Sequence, residues 1–210
     1  MSGKAMDRPP DLSAGFVRDT LDRAITAVRP TADQLLAQRN GDVETTVQDH
    51  IDTHIRYAGA QGLLTGLGGV LAATFTMPAN LAGLALVQAR MVAGIAHLRG
   101  YDLDDPRVRN AVLATMLGED LVDRMVADRR LPAPPMAIAT APVHDPHLDG
   151  LLAGEVAAEL MTRVTSKRLA ITLVRKVPIV GGAYGMGADG FRTWRVGDYA
   201  SRELRPRARR

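Results

Sequence analysis

Residues 81–99, "LAGLALVQARMVAGIAHLR", carry a helix signal at each end. Asn80 directly precedes it and suits the N-cap of a helix, because its side chain can accept a hydrogen bond from an early backbone N–H. Gly100 directly follows it and suits a C-terminal stop, because glycine adopts the left-handed conformation without strain. The stretch therefore predicts a helix that is bounded at both ends.

Helical periodicity continues toward the N-terminus. Apolar side chains in residues 12–28 recur every three or four positions, which is typical of an amphipathic helix. Pro30 is expected to end this helix, because proline cannot donate a backbone hydrogen bond. Residues 40–41 are Asn-Gly and predict a turn, after which a helix restarts at Asp42.

Toward the C-terminus, residues 107–130 are apolar on several faces and predict one largely buried helix. Residues 131–150 carry five prolines and predict a connection. Asp149 is expected to cap the next helix, which ends before Pro178, and the remainder is glycine-rich and then arginine-rich. Because alternating strand patterns are almost absent, the sequence predicts an all-α fold: a single helical bundle-like domain with glycine-rich central helices and flexible termini.

The domain organisation follows from length and punctuation. A chain of 210 residues suggests one domain, which is large enough to bury a core without disulfides or metals. We expect residues 1–11 to be a disordered N-terminus, residues 12–202 to be the helical domain and residues 203–210 to be a basic C-terminal tail.

Composition excludes several classes of function. The chain has no cysteine, which excludes a disulfide framework, a thiolate metal site and a cysteine nucleophile. The formal net charge is +3, and arginine far outnumbers lysine, which we interpret as genomic base composition. No specific nucleic-acid binding is predicted. The N-terminus lacks the apolar stretch of a secretory signal, so the predicted location is the cytoplasm.

Residues 57–89 form an uncharged run in which glycines cluster. The chain lacks the Gly-Lys-Ser/Thr of a phosphate-binding loop, and a Gly-x-Gly-x-x-Gly at residues 185–190 lacks the second strand and acidic residue of a dinucleotide site.

A membrane span needs about 20 mostly apolar residues, and Pro78 divides the uncharged run at residues 57–89. Buried helices of a soluble protein are the favoured interpretation, while a reversibly membrane-seated hairpin and a true span stay open. The residues assigned to helix packing or membrane contact are Gly62, Thr65, Gly66, Gly69, Pro78, Gly181 and Gly185.

A family resemblance rests on several of these landmarks. "TGLGG" at residues 65–69, then Pro78, then "QARMVAGIAHLRGYDLDDPRVR" at residues 88–109 resemble the EcsC family, as do the later "VPIVGGAYGMGAD" and "RVGDYA". The similarity covers roughly residues 40–202. It implies a bacterial, helical, membrane-associated accessory protein, connected with an ABC-transporter operon and without an agreed catalytic motif. It also implies that the glycines mark a helix–helix or helix–lipid contact.

His50 and His54 are the strongest candidates for chemistry. Four residues apart on a helix, they share a face with Val47 that is predicted to point inward, and such a pair can chelate zinc or iron. Ile51 stands where the zinc-protease pattern needs a glutamate, so a third ligand would come from elsewhere, with Glu119 as the candidate. The favoured interpretation is two partly buried histidines, hydrogen-bonded to backbone or carboxylates, with no cofactor.

Two other polar groups are interpreted as surface features. Residues 144–149, "HDPHLD", resemble a ligand cluster but lie in the proline-rich connection, and we expect a surface loop. Arg90 and His97 share one side of their helix, for which we expect a solvated face, with contact to an anion or a lipid headgroup as the alternative.

The C-terminal segment, "FRTWRVGDYASRELRPRARR", combines seven arginines with Phe191, Trp194 and Tyr199. Aromatic rings favour a membrane interface, and clustered basic side chains favour anionic lipid. Arg192, Trp194 and Arg195 are therefore candidates for contact with anionic lipid. Because a helical projection does not gather the three rings on one face, a solvated basic tail stays open as the alternative.

Together, these features predict a non-enzymatic accessory protein that associates with a membrane surface or a membrane-protein partner at the inner face of the cell membrane. A link to ABC transport is implied by the resemblance alone. Two alternatives stay open. One is a metal-binding protein or metalloenzyme that uses His50 and His54, and the other is a lipid-binding pocket between residues 62–69 and residues 81–95.

Overall fold

A computed structural model describes residues 13–67, 69–173 and 178–207, and the side chains of residues 13–61, 82–163 and 187–207. Eight helices and no strand occur in this part of the chain, which confirms the all-α fold in a single domain. The helices are α1 (Ala14–Gln38), α2 (Val43–Leu67), α3 (Gly69–Leu98), α4 (Pro106–Leu117), α5 (Glu119–Ala127), α6 (Pro135–Ala139), α7 (Pro146–Leu173) and α8 (Pro178–Glu203).

α3 lies at the centre of the bundle and packs against α1, α2, α4, α7 and α8. In its C-terminal half Met91, Val92 and Ile95 are fully buried, and the positions between them are mostly alanine or glycine. The separation of two packed helices depends on the side chains at their contact, so these small residues let several helices approach α3 at once. Residues 81–98, from the stretch with which the sequence analysis begins, therefore belong to the central helix of the core.

α2 and α8 form the most extensive helix pair. Glycines of α8 set their separation: a Cβ added at Gly197 would lie 3.0 Å from Ile51 Cγ2, and one at Gly190 would lie 4.0 Å from the Cα of Gly59. Each glycine costs about 1 kcal/mol of helix propensity relative to alanine, so the local pattern does not predict α8. Close packing against α2 outweighs that cost.

α1 continues through Pro30, which was expected to end it. The proline is exposed, so the carbonyl that loses its N–H partner is on the solvent side. Val28 and Ala32 are buried and hold the flanking turns against the core. The turn at residues 40–41 is confirmed by positive φ at both residues, and α2 begins directly after Asp42.

α3 contains Pro78 and Asn80 within its bounds. The expected division of the uncharged run at Pro78 and the expected N-cap at Asn80 are therefore wrong. The C-terminal stop is confirmed, since Gly100 follows the helix with a φ of 82°. This left-handed geometry lets the Tyr101 N–H donate to a carbonyl in the last turn of α3 at 3.0 Å, as in a Schellman motif.

The predicted helix over residues 107–130 is two helices. Gly118 has a φ of 83° and interrupts the chain between α4 and α5. The connection after α5 contains the short helix α6, and α7 starts earlier than expected. Asp145 caps α7 in place of Asp149, because its Oδ1 accepts a hydrogen bond from the His147 N–H at 2.9 Å.

The described part of the C-terminal tail is held at the end of α3. Arg99 is 5% exposed and donates to the carbonyl of Leu204 at 3.0 Å and to Glu44 of α2 at 2.7 Å. The Tyr101 hydroxyl donates to the carbonyl of Arg205 at 3.0 Å. A cation is favourable at a helix C-terminus, so Arg99 joins the end of α8 to α2 and α3.

Candidate functional site

A charged groove lies between α5, α7 and α8 and encloses a cavity of about 410 Å³. We call it the arginine groove. Its walls carry four carboxylates and the following six side chains: Arg124, Arg163, Arg192, Trp194, Arg195 and Arg202.

Every carboxylate of the arginine groove is paired with one of its arginines. The pairs are Arg202–Glu119 at 2.7 Å, Arg195–Asp120 at 2.9 Å, Arg163–Glu159 at 2.9 Å and Arg202–Asp198 at 3.2 Å. Both oxygens of Glu119 accept hydrogen bonds from Arg202, and these bonds hold the pKa of Glu119 below its usual value. Three of the groove's arginines thus pair all four of its carboxylates, since Arg202 binds both Glu119 and Asp198.

Arg163 forms the inner wall of the arginine groove. It is only 8% exposed, and its Nε donates to Glu159 of the preceding turn at 2.9 Å. Its Nη1 donates to Oε1 of the buried Gln88 at 3.2 Å, and Gln88 in turn donates to the Thr193 hydroxyl at 3.4 Å. Side chains from α3, α7 and α8 thus fix this guanidinium in one position.

Arg124 and Arg192 line the arginine groove from two different helices, α5 and α8. Both are exposed. Neither side chain makes a hydrogen bond or an ion pair with any residue in the described ranges, in contrast to the other three arginines. Five arginines and four carboxylates leave the groove with one net positive charge, and these two arginines are the ones that no described carboxylate pairs.

An exposed aromatic pair lies at the rim. Phe191 is 58% exposed and Trp194 is 47% exposed, and their rings stack with centroids 5.7 Å apart. Residues three apart are neighbours on a helix surface, which brings these two rings together on α8. Tyr199 faces the core and is 3% exposed, so two of the three C-terminal aromatics share a face.

The structure brings together the three residues assigned to anionic lipid, since Arg192, Trp194 and Arg195 all line the arginine groove. Their contact with lipid stays a prediction. Sequence reasoning missed Arg124 and Arg163. The spacing of Glu159 and Arg163, four apart on a helix, is a recognisable ion-pair signal, whereas nothing local marks Arg124.

His50 and His54 occupy a separate, buried position between α2 and α3, as predicted. His54 Nδ1 lies 2.8 Å from the His50 carbonyl, and His50 Nε2 lies 3.3 Å from the Arg90 carbonyl. Burial, together with the neighbouring His54, lowers the pKa of His50 to about 4. A Cβ at Gly94 would lie 2.1 Å from His50 Nε2, so the ring fills the space that this glycine leaves.

Glu119 does not join these histidines, because both of its oxygens bind Arg202. Within the described ranges, no group of three or more histidine, aspartate or glutamate side chains is arranged to hold a metal ion. The hydrogen bonds to backbone carbonyls match the favoured interpretation of the pair. Metal binding at His50 and His54 stays an untested alternative.

The remaining polar groups make contacts within the fold. His144 lies in the loop before α7, where its Nε2 is 2.8 Å from Asp149, which also accepts from Asn110 at 2.7 Å. His144 and Asn110 border a second, mostly apolar cavity of about 230 Å³. His97 is not simply solvated, because it contacts Asp33 of α1 at 2.8 Å.

The glycine landmarks fall largely where no side chains are described. Residues 62–67 lie in α2, Gly69 begins α3, and Gly181 and Gly185 lie in α8. The seven positions assigned to helix packing or membrane contact lie outside the described side chains, as does much of the expected lipid pocket. They are Gly62, Thr65, Gly66, Gly69, Pro78, Gly181 and Gly185. In residues 13–67, 69–173 and 178–207, no helix combines the length and apolar character needed to cross a membrane.

Comparison with known proteins gives one match. Residues 19–130 match the model of the EcsC protein family. No curated protein and no solved structure shows significant similarity to the chain. The match spans more than half of the 210 residues, and the chain therefore belongs to the EcsC family. The later stretches of the resemblance, after residue 130, lie beyond the matched region.

Proposed function

We propose that this EcsC-family protein is a non-enzymatic helical protein that binds reversibly to an anionic membrane surface through the outer face of α8. The observation that carries the proposal is the stacked, exposed pair Phe191–Trp194 beside Arg192 and Arg195. Aromatic rings of this kind suit the headgroup region of a bilayer. Arginines beside them suit anionic lipid.

Burial elsewhere in α8 supports this orientation. Thr193, Val196 and Tyr199 face the core, so the aromatic pair is presented on the opposite side of the same helix. Their exposed apolar surface has no role in the packing of the core. The inner leaflet of a cell membrane carries a negative surface potential, which matches the predicted cytoplasmic location.

The test is co-sedimentation with vesicles of phosphatidylcholine alone and of phosphatidylcholine with phosphatidylglycerol, at low and at high salt. We expect binding to the anionic vesicles at low salt and weaker binding at high salt, because salt screens exposed charges. Each basic side chain near an anionic surface contributes about 1 kcal/mol. Replacing Arg192 and Arg195 by glutamine should therefore weaken binding roughly thirtyfold.

Matched variants test whether vesicle binding depends on this face of α8 or on the overall charge and apolar surface of the protein. Arg18→Gln with Arg23→Gln removes the same charge from exposed positions on α1 and should lose much less affinity than the α8 variant. Phe191→Ala with Trp194→Ala should reduce binding at both salt concentrations, since the apolar contribution is not screened. Absence of vesicle binding by the parent protein under all conditions would refute the proposal and leave a membrane-protein partner as the candidate.

A further inference from the structure

The arginine groove holds an excess of positive charge at a defined position. Its four carboxylates are all paired internally, whereas Arg124 on α5 and Arg192 on α8 have no hydrogen-bond or ion-pair partner among the described residues. Two like charges that line one cavity repel each other. An anion bound in the cavity would relieve that repulsion.

Arg163 adds a fixed donor at the inner end of the cavity. Its Nε and Nη1 are already engaged by Glu159 and Gln88, so its position does not depend on the ligand. Ordering a long side chain upon binding costs free energy, and here that cost is met during folding. Arg163 is thus a preorganised contact, in contrast to the mobile side chains of an ordinary basic surface.

The chemistry of three guanidinium groups favours phosphate among the common anions. Guanidinium presents its N–H donors in a planar fork that fits the oxygens of phosphate. A phosphate monoester carries a charge between −1 and −2 near neutral pH, which offsets the one net positive charge that five arginines and four carboxylates leave in the groove. The cavity of about 410 Å³ also has room for an organic group attached to the phosphate. Trp194 lies beside it as an apolar wall.

We propose that the arginine groove is a binding site for a phosphate monoester, with Arg124, Arg163 and Arg192 as its phosphate contacts. The inference deepens the proposed function and rests on it for one source of the ligand, the headgroup of an anionic lipid. The other source is a free phosphate compound. Both offer the same phosphate chemistry to the three arginines.

The experiment is isothermal titration calorimetry of the full chain with dihexanoyl phosphatidic acid below its micelle concentration. Inorganic phosphate and dihexanoyl phosphatidylcholine are titrated in parallel. We expect saturable binding of the phosphatidic acid with a stoichiometry near one and no binding of the phosphatidylcholine. Arg124→Gln and Arg192→Gln should each raise Kd about tenfold or more, because each removes a charge-assisted hydrogen bond.

Arg124 and Arg192 are the variants of choice because neither supports the fold through a hydrogen bond or ion pair with the described residues. Equal thermal melts of variant and parent confirm that the comparison is valid, and Arg23→Gln on α1 is the charge-matched control. The inference is overturned if phosphatidic acid gives no saturable heat, or if both groove variants bind as tightly as the control. Binding of inorganic phosphate as tight as that of phosphatidic acid supports a free phosphate compound as ligand, whereas a clear preference for phosphatidic acid supports a lipid headgroup.

The two proposals fail separately. If vesicles bind but soluble phosphate ligands do not, the surface of α8 acts without a phosphate site in the arginine groove. If soluble phosphatidic acid binds but vesicles do not, the groove acts without a membrane. Arg124 belongs to α5 and the aromatic pair to α8, so Arg124→Gln tests the groove while leaving Phe191 and Trp194 in place.

Discussion

Gly94→Ala is the sharpest test of how the core is assembled around the buried histidines. A Cβ at this position would lie 2.1 Å from His50 Nε2 and 2.6 Å from Cε1 of the same ring. No real Cβ contact is that short, so the ring must move. Since His50 is 5% exposed and its Nε2 contacts the Arg90 carbonyl at 3.3 Å, it has little free space and would lose that contact.

The expected magnitude follows from three contributions. Replacing glycine by alanine within a helix gains about 1 kcal/mol of intrinsic propensity. Overpacking a well-filled core costs about 1–3 kcal/mol, and the displaced hydrogen bond costs about 1 kcal/mol more. Gly94→Ala should therefore lower the free energy of unfolding by about 1–3 kcal/mol, which corresponds to a fall in Tm of roughly 3–10 °C for a chain of this size.

Urea unfolding of five proteins decides the matter: the parent, Gly94→Ala, Gly154→Ala, His50→Ala and the double variant His50→Ala with Gly94→Ala. Gly154→Ala in α7 is the control, because nothing lies within 4 Å of its added Cβ, and it should be neutral or up to about 1 kcal/mol stabilising. In the double variant His50→Ala with Gly94→Ala, the steric clash is gone, so its destabilisation should be smaller than the sum of the single effects. A Gly94→Ala variant as stable as the parent, or strict additivity in the double variant, would show that the ring shifts without cost.

Two further predictions concern stability. Arg99→Met should lower the free energy of unfolding by about 2–4 kcal/mol in urea melts, because it leaves buried carbonyls at the end of α8 without a donor, whereas Arg23→Met should have little effect. His50 is expected to make stability depend on pH: its pKa is about 4 in the folded protein and 6.5 for an unperturbed histidine, so the unfolded state binds more protons between these values. The histidine's contribution is complete above pH 6.5 and declines as the pH falls toward 4, by at most about 1.4 kcal/mol per pH unit. The free energy of unfolding, measured from pH 7 to pH 4.5, should therefore fall less steeply for His50→Gln than for the parent. The exposed control His147→Gln should behave like the parent. Equal slopes in all three proteins would contradict the assignment of this pH dependence to His50.

Local rules predicted much of the helical framework. The stop at Gly100 and the turn at residues 40–41 are confirmed because glycine and asparagine tolerate positive φ, which is a property of single residues. The burial of His50 and His54 is confirmed because helical periodicity alone places them on the inward face with Val47. These features depend on residues close in sequence.

The errors occur where packing outweighs local preference. Pro30 lies inside α1 because its flanking turns are anchored in the core, although proline normally ends a helix. α8 forms in spite of its glycines, since contact with α2 at Gly190 and Gly197 repays their low propensity. Neither effect is visible without the partner helix.

At the arginine groove, too, some features follow from local sequence and others only from the packing of the helices. An all-α fold, an EcsC resemblance and a C-terminal segment in which arginines and aromatics alternate all follow from the sequence alone. Which charges stay unpaired depends on the tertiary structure, because Arg202, Arg195 and Arg163 find carboxylates, while Arg124 and Arg192 find none among the described side chains. Pairing of charges depends on distances of a few ångströms between α5, α7 and α8, and those distances are set when the helices pack.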